Sequence, residues 1–173
     1  MEARTARLED IISPFDSKIV RKLKDMREIF YFKDELNNLD QNKIVYEVYE
    51  FKNDDLNLSL TLLYPGKVGN EYFMTKGHYH EKEVGEIYYC IKGRGLLVMQ
   101  SRKGEVNYLE LEKGTIAYVP PNYAHRVVNI SDEVLSFLAF YTSDAGHDYK
   151  SIEKEGFKVI VIEVDGKPEV KFI

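Results

Sequence analysis

Short strand-like segments separated by turn residues follow one another from Lys43 onward, and this pattern limits the possible folds more than any other feature. The clearest segment is 56–62, where leucines alternate strictly with asparagine, serine and threonine. Such alternation is typical of a strand with one apolar and one polar face. We expect the leucines to pack outward against a second layer and Thr61 to point into an enclosed cavity. Turn signals recur about every 8–12 residues, which predicts an all-β barrel or sandwich.

Glycine-containing turns divide the strand-rich region further. Three of them are predicted to close hairpins: Gly93–Gly95, Lys103–Gly104 and Asp165–Gly166. The first would join the segment 86–92 to the segment 96–100. Because no linker, repeat or low-complexity tract interrupts the sequence, we predict a single domain over residues 1–173. It would comprise an N-terminal extension (1–42) and a β-barrel with C-terminal strands (43–173).

The N-terminal extension carries a helical pattern. Four apolar residues recur there at spacings of three and four among charged residues: Ile19, Leu23, Met26 and Phe30. This periodicity predicts an amphipathic helix with Asp16 or Ser17 as its N-cap. The aromatic run 30–32 fits the start of a strand equally well. The polar run 37–42 predicts a loop.

Composition and charge restrict the classes of function. The net charge of −5 and the isoelectric point near 5.5 argue against a surface for nucleic acid or for anionic membranes. A single cysteine, Cys90, excludes an intrachain disulfide and fits a reducing compartment. No signal-like apolar segment and no long apolar run are present. We therefore expect a cytoplasmic enzyme or binding protein.

Three of the four histidines lie in two segments, 75–95 and 120–125, and these segments predict a metal site. His78 and His80 are two residues apart, a spacing that puts both side chains on one face of a strand. Glu86 opens the next strand-like run, and His125 offers a fourth donor. Three imidazoles and one carboxylate suit a divalent transition-metal ion and leave up to two octahedral positions open. The alternative is a pair of histidines on an exposed strand and a third with only a local hydrogen bond.

The spacing of these residues resembles the two signature motifs of the cupins. The positions that match are His78, His80, Glu86 and Gly93 in the first motif and Gly114, Pro120, His125 and Asn129 in the second. The chain departs from the pattern in a longer gap before the glutamate, in an absent early glycine, and in Asn122 where a glycine is usual. None of these departures affects a ligand position. The resemblance implies an all-β cupin fold, a double-stranded β-helix or jelly-roll barrel, with little helix.

Three separated segments, 75–88, 120–129 and 143–149, resemble motifs of the archaeal cupin-type glucose-6-phosphate isomerases, in the same order. The resemblance implies one divalent ion per subunit, Fe(II) first, with Mn(II), Ni(II) or Zn(II) as alternatives. It implies four metal ligands: His78, His80, Glu86 and His125. It implies two catalytic residues, Glu86 and His147. It places six further residues around a phosphorylated sugar: Thr61, Thr75, Gly77, Tyr88, Tyr141 and Tyr149.

These residues fit the chemistry of an aldose–ketose isomerase, an intramolecular oxidoreductase. A metal ion would acidify C2–H and stabilise a cis-enediolate as a Lewis acid. Glu86 could accept and return the proton, whereas a direct hydride shift is the alternative. His147 could assist ring opening. Because no P-loop is present, we expect Thr75, the backbone near Gly77 and tyrosine hydroxyls to bind the phosphate, while Lys76 points away.

Two other classes of cupin remain open from the residues alone: a metal-dependent dioxygenase and a non-catalytic sugar-binding barrel. A lining of threonine, tyrosine and histidine favours a polyhydroxylated anionic substrate over the apolar pocket of an oxygenase. The complete ligand set counts against the non-catalytic barrel. The family resemblance further implies a role in glycolysis and gluconeogenesis and a homodimer in which the N-terminal strands pack against the second subunit.

Overall fold

A computed structural model describes residues 4–8 and 11–173, and strands dominate them. The strands in chain order are β1 (Arg7–Leu8), β2 (Ile12–Ser13), β3 (Ser17–Lys22), β4 (Ile44–Phe51), β5 (Leu56–Leu63), β6 (Lys67–Val68), β7 (Glu71–Tyr72), β8 (Glu86–Lys92), β9 (Arg94–Ser101), β10 (Val106–Glu112), β11 (Ile116–Val119), β12 (Tyr123–Asn129), β13 (Leu135–Thr142), β14 (Val159–Val164) and β15 (Lys167–Phe172). The helical elements of this part of the chain are two 3-10 helices, Leu23–Met26 and Lys33–Asn38, and helix α1, Tyr149–Glu155.

Two walls of antiparallel strands enclose the interior. One wall is a six-stranded sheet with the order β11-β8-β13-β5-β4-β3. The other wall combines a three-stranded sheet, β10-β9-β12, with a four-stranded sheet, β15-β14-β7-β6. The principal core contains buried side chains from both walls, among them Leu97, Val127, Val161 and Phe137. The predicted all-β barrel with little helix is confirmed.

The chain changes walls at Gly93, where a hairpin was predicted. Strands β8 and β9 are consecutive but lie in different sheets, so the hairpin prediction for Gly93–Gly95 is wrong. Gly93 has φ +85°, and a Cβ atom there would lie 2.8 Å from the Cα atom of Leu135. The glycine is therefore needed for a corner between two sheets. The turns at Lys103–Gly104 and Asp165–Gly166 do close hairpins, β9–β10 and β14–β15.

The N-terminal amphipathic helix predicted from Asp16 or Ser17 is not formed. Residues Ser17–Lys22 instead make β3, which pairs with β4 and adds an edge strand to the six-stranded sheet. Pairing with β4 provides hydrogen-bond partners for the backbone of this segment, and only Leu23–Met26 forms a short 3-10 helix. Leu23, Met26 and Phe30 are nevertheless buried, so the periodicity marked core residues rather than one continuous helix.

Two further N-terminal expectations are also corrected. The aromatic run 30–32 forms no strand. The predicted loop at 37–42 starts late, because the second 3-10 helix continues to Asn38.

The six-stranded sheet presents two different faces. On β5, Thr61 is buried and faces the interior, whereas Leu60 lies on the outer face. Leu60 packs there with Ile12, Tyr49 and Phe51 in a second, smaller apolar cluster. The orientation predicted for Thr61 from the alternation of leucines is therefore confirmed, and the N-terminal segment supplies part of the outer layer.

Candidate metal centre and active site

Four ligand-type side chains meet inside the barrel. One donor atom from each of His78, His80, Glu86 and His125 lies within 4.8 Å of the other three. Within this group, Oε2 of Glu86 is 2.8 Å from Nε2 of His125 and 3.3 Å from Nε2 of His80. The side chains of Glu86 and His125 are almost fully buried. The structure thus brings together the four residues that the sequence singled out.

Backbone pairing between two distant segments places the histidines. The amide of His78 donates to the carbonyl of His125, and the amide of His125 donates back to the carbonyl of His78 at 3.1 Å. The segment of His78 and His80 forms only isolated bridges rather than the regular strand we expected. Gly77 has φ +79°, and a Cβ atom there would come within 2.7 Å of the Phe157 ring. Glycine therefore allows the close approach that brings the segment of His78 against β12.

The second ring nitrogen of two histidines is already engaged by the backbone. Nδ1 of His80 lies 3.0 Å from the carbonyl oxygen of Val84, and Nδ1 of His125 lies 3.3 Å from that of Tyr123. When Nδ1 carries the proton for these contacts, Nε2 keeps its lone pair. Eight buried side-chain atoms in the described part of the chain lack a hydrogen bond, and four of them belong to this cluster: Nε2 of His78, His80 and His125, and Oε2 of Glu86. Such a set of inward lone pairs is what a cation requires.

Electrostatics favour an ionised Glu86 and a neutral His78. Burial acts to lower the pKa of His80, but the hydrogen bond between its ring and Glu86 outweighs burial and raises the pKa. Burial acts to raise the pKa of Glu86, but the neighbouring His125 and His80 outweigh it and hold the pKa far below its ordinary value. Burial lowers the pKa of His78 well below its ordinary value, and the nearby His125 adds to this effect. A carboxylate and a neutral imidazole are the protonation states in which these side chains bind metals.

A cavity of about 240 Å³ opens beside the cluster. All six residues expected around the sugar line it: Thr61, Thr75, Gly77, Tyr88, Tyr141 and Tyr149. Tyr88 and Glu86 lie on the same face of β8, as their spacing predicts. Cys90, on that face too, is fully buried and is part of the apolar core. Lys76 pairs with Glu153 outside the cavity, in agreement with the prediction that it points away.

His147 is held against the cluster by the loop 143–148. The amides of Glu81 and Lys82 both donate to the carbonyl of Ala145, at 2.9 and 3.1 Å. The ring centroid of His147 consequently lies 4.5 Å from that of His78. Asp148 caps α1 through a hydrogen bond from the Ser151 amide, so the helix starts at Tyr149, whose ring stacks on His147. Burial lowers the pKa of His147, which favours the neutral imidazole.

Four polar residues of the cavity wall were missed by sequence reasoning: Arg21, Tyr46, Glu50 and Ser59. Tyr46 and Glu50 lie on β4, where both faces carry apolar residues and one glutamate, so the sequence does not show which face is inside. Arg21 was assigned to a helix that does not form. The carboxylate of Glu50 accepts a hydrogen bond from the Tyr141 hydroxyl at 3.3 Å, which brings a second acidic group close to His147. The sequence signal that could have identified Tyr46 and Glu50 is the alternation of side-chain direction along β4, which puts both residues on the same face of the strand.

Comparison with known proteins decides the family. Residues 20–171 match the family model for glucose-6-phosphate isomerase (GPI). The chain belongs to the glucose-6-phosphate isomerase family. It is 48% identical to the glucose-6-phosphate isomerase of Thermococcus onnurineus over 169 residues, covering 94% of this chain and 89% of that protein. It is 48% identical to that of Pyrococcus abyssi, covering 92% and 88%.

A bacterial relative and a solved structure extend the comparison. The glucose-6-phosphate isomerase of Sinorhizobium medicae is 44% identical over 129 residues, covering 72% of this chain and 60% of that protein. Oxalate decarboxylase of Bacillus subtilis superposes with a TM-score of 0.50 at 26% identity, covering 57% of this chain and 26% of that chain. The all-β cupin fold and the resemblance to the archaeal isomerases are both confirmed.

No helix among residues 4–8 and 11–173 combines the length and the apolar character needed to cross a membrane.

Proposed function

We propose that this glucose-6-phosphate isomerase works with a divalent transition-metal ion held by His78, His80, Glu86 and His125. The enzyme interconverts glucose 6-phosphate and fructose 6-phosphate, a step of glycolysis and gluconeogenesis. The observation that carries the metal proposal is the buried cluster of four donor atoms within 4.8 Å of one another. Burying several such atoms without partners is costly, and one cation offsets that cost for all of them.

The donor set restricts the identity of the ion. Imidazole and carboxylate together suit Fe(II), Mn(II), Ni(II) and Zn(II), and the absence of thiolate from the cluster disfavours softer metals. We propose Fe(II) as the first candidate, with the other three as alternatives. The structurally similar oxalate decarboxylase of Bacillus subtilis has Mn(II) centres, so the fold accommodates manganese in at least one similar protein.

The residues of the chain divide the chemical work. A divalent ion bound here would supply Lewis-acid polarisation of the oxygens on C1 and C2 of the open-chain sugar. We propose that Glu86 accepts the C2 proton of glucose 6-phosphate and returns it to C1; a direct hydride shift from C2 to C1 is the alternative. His147, neutral and beside the cluster, takes the proton from the C1 hydroxyl and delivers it to the ring oxygen when the ring opens.

The wall residues orient the sugar and exclude water. We propose that Thr61, Tyr88, Tyr141 and Tyr149 form hydrogen bonds with the hydroxyl groups of the substrate, and that Thr75 and the Gly77 backbone lie at its phosphate. Burial raises the pKa of Tyr149 to about 12 and that of Tyr88 well above its ordinary value. These phenols are therefore protonated at neutral pH and can donate hydrogen bonds.

One experiment tests the metal requirement. The purified protein is assayed for bound metal and for conversion of glucose 6-phosphate to fructose 6-phosphate, before and after chelation and after adding back each of the four ions. We expect conversion to disappear on chelation and to return most fully with Fe(II). Undiminished conversion in metal-free protein would overturn the proposal, whereas full recovery with another ion alone would correct only the identity of the metal.

Solvent isotope incorporation separates the two routes for hydrogen. When the reaction runs in heavy water, proton transfer through Glu86 places deuterium on C1 of fructose 6-phosphate. A direct hydride shift places no deuterium on C1, so deuterium at C1 would exclude that route and support Glu86 as the base.

We further propose a cytoplasmic homodimer whose contact includes the outer face of β8, β11 and β13. Five large apolar side chains are exposed there: Ile87 (45%), Tyr89 (38%), Ile116 (72%), Tyr118 (57%) and Phe140 (42%). The strand register places Ile116 opposite Tyr89 and Tyr118 opposite Ile87, so the side chains form one continuous patch. A patch of this kind is typical of a protein interface, and one self-complementary patch suits a twofold dimer.

A further inference from the structure

The segment 78–82 has two tasks, which fall on alternate residues. Its two histidines belong to the metal cluster. Tyr79 lies between them and pairs with Asp148: the Tyr79 amide donates to the Asp148 carbonyl at 3.3 Å, and the Asp148 amide donates back to the Tyr79 carbonyl at 2.8 Å. Because His147 directly precedes Asp148, this pairing fixes one side of the residue that we assign to opening the sugar ring.

Gly146 lies on the other side of His147. It has φ +66°, and a Cβ atom there would lie 2.6 Å from Oε2 and 2.8 Å from Cβ of Glu81. Glycine therefore lets the loop lie against Glu81, whose amide donates to the carbonyl of Ala145. The side chain of His147 is itself partly exposed. The orientation of its ring thus depends on the anchors at either side.

The carboxylate of Asp148 adds three contacts to those of its backbone. Its Oδ1 accepts a hydrogen bond from the Ser151 amide at 3.1 Å, and its Oδ2 accepts one from the Ser151 hydroxyl at 2.6 Å. Oδ2 also accepts a hydrogen bond from Nη2 of Arg102 at 3.3 Å. The contacts with Ser151 cap α1 and so fix the position of Tyr149, whose ring is stacked on His147 at an interplanar angle of 10°.

Arg102 connects the two sides of this junction. It directly follows β9, and its guanidinium carbon lies 4.1 Å from the centroid of the Tyr79 ring. A guanidinium is attracted to the face of an aromatic ring and can pair with a carboxylate at the same time. Because Tyr79 is only 1% exposed, its ring gives Arg102 a fixed base. Arg102 therefore links the ligand segment to Asp148, the residue after His147.

We propose that Arg102 and Asp148 are positioning residues, which hold His147 beside the metal cluster in its stacked position on Tyr149. The proposal rests on the proposed function of His147 in opening the sugar ring. Neither Arg102 nor Asp148 is among the described residues that line the cavity, so both act through His147 rather than on the substrate. An ion pair at the surface contributes little to global stability, so the expected effect is confined to the loop.

NMR of the histidine side chains measures the position of His147 without turnover. The chain contains four histidines, and three of them belong to the cluster, so a spectrum of His147→Ala assigns the remaining signal. Protein loaded with diamagnetic Zn(II) is used. We expect Arg102→Met and Asp148→Ala to shift the His147 signal, because its stacking on Tyr149 changes, and to leave the three cluster signals in place. An unmoved His147 signal, or a shift of all four signals, would overturn the proposal.

Turnover of glucose 6-phosphate is the second readout. We expect Arg102→Met to lower kcat about threefold, and Asp148→Ala to lower it at least about tenfold because the helix cap is lost as well. In a His147→Ala background neither change should lower kcat further, since the residue through which they act is gone. Equal losses of kcat in the two backgrounds would overturn the proposal.

Conservative variants separate the contacts of Asp148. Asparagine caps a helix as well as aspartate does but carries no charge. Asp148→Asn should therefore match Arg102→Met, and the two changes combined should lower kcat no further than either alone. Arg102→Lys keeps the charge and should recover part of the loss. Full additivity of Asp148→Asn and Arg102→Met would show that they act separately and would overturn the proposed pair.

Arg94→Met is the matched control. Arg94 is also largely exposed, lies at the opposite end of β9 and pairs with Glu110. Its loss should leave kcat and the His147 signal unchanged, and an equal effect in this variant would overturn the proposal. Metal content and thermal midpoint are measured on every variant, and if Asp148→Ala fails to fold, Asp148→Asn and Arg102→Met decide the outcome.

The two readouts also separate this proposal from the function on which it rests. If His147→Ala keeps the full kcat, the role of His147 in opening the sugar ring fails. A selective shift of the His147 signal in Arg102→Met would still support Arg102 and Asp148 as the residues that hold His147 in place.

Discussion

The two faces of the six-stranded sheet carry opposite chemistry on the same strands. On β8, Glu86 and Tyr88 point into the barrel, whereas Ile87 and Tyr89, which alternate with them, point outward. The inner face therefore buries ionisable and hydroxyl groups, and the outer face exposes large apolar ones. In a sheet that covers an ordinary core the distribution is the reverse. The difference shows that alternation along a strand identifies two faces but does not show which of them lies inside.

Each face tolerates its unfavourable residues for a different reason. Buried polar groups of the inner face are tolerated where they find partners, as when Tyr141 donates to Glu50. The cluster of His78, His80, Glu86 and His125 leaves four buried atoms without a hydrogen bond, and a bound cation would satisfy them. The exposed apolar groups of the outer face have no such partner within the described chain, and burial against a second copy would stabilise them. Variants of the two faces should therefore fail in different ways.

The largest effect is expected for an inner-face ligand. His125→Ala should lose the metal and reduce kcat by about 10³-fold or more, because several kcal/mol of transition-state stabilisation disappear with the ion. The fold should remain, since the barrel core does not depend on the site. Metal analysis, the isomerase assay and circular dichroism check the three statements. Full metal occupancy in this variant would show that His125 is not a ligand.

A charge on the outer face should break the dimer without affecting the metal. Ile116→Lys removes an exposed apolar side chain that twofold symmetry would bury twice, at about 1.5–3 kcal/mol each. The dimer dissociation constant should rise by about 10²-fold or more, as measured by sedimentation. Metal content should be that of the wild type. Lys167→Ala, on β15 in the other wall, is the control and should leave the dimer dissociation constant unchanged. An unchanged dissociation constant in Ile116→Lys would exclude the outer face of β8, β11 and β13 from the dimer contact.

A neutral hydroxyl on the inner face should contribute a smaller effect. Thr61→Val keeps the shape of the side chain and removes one hydrogen bond to the substrate, so kcat/KM should fall by about tenfold. Leu62→Val, the next residue on β5 and on the outer face, is the matched control and should keep its kcat/KM. Steady-state kinetics of both variants decide whether Thr61 contacts the sugar. Equal kcat/KM values for Thr61→Val and Leu62→Val would exclude that contact.

The smallest effect concerns the stability contributed by Glu50. Burial acts to raise its pKa, but hydrogen bonds from Ser17, Lys52 and Tyr141 outweigh burial, and the pKa is lowered overall. A lowered pKa means that the carboxylate stabilises the fold at neutral pH and that this contribution is lost as pH falls through the folded-state pKa. The difference in stability between wild type and Glu50→Gln should therefore shrink on acidification. Urea unfolding at several pH values measures it, and a constant difference would contradict the prediction.

Much of the candidate site could be predicted from local sequence. The ligand types, the parity that puts Tyr88 beside Glu86 and the inward orientation of Thr61 all follow from spacing along one segment. Asn122 is a further case: it replaces a usual glycine of the cupin pattern and has φ +66°, a conformation that asparagine tolerates better than most residues. These features depend on the chain within a few residues, so local rules describe them.

Other parts of the site depend on contacts between distant segments. Arg21 was missed because the spacing of apolar residues around it fits a helix as well as a strand followed by a turn. Gly93 looked like a hairpin turn because nothing local distinguishes a hairpin from a corner between sheets. In both cases the partner strand decides the structure, and the partner is remote in sequence.

By itself, the sequence identified the four donor residues of the candidate metal centre, the barrel class and the segments that line the cavity. Only the tertiary structure decided that Arg21, Tyr46 and Glu50 belong to the cavity, and that the apolar residues of β8 and β11 face outward. The physical reason is that a strand always has two faces. Which one becomes the interior is fixed by long-range pairing across the sheet, because a shift of one residue in register would exchange the two faces.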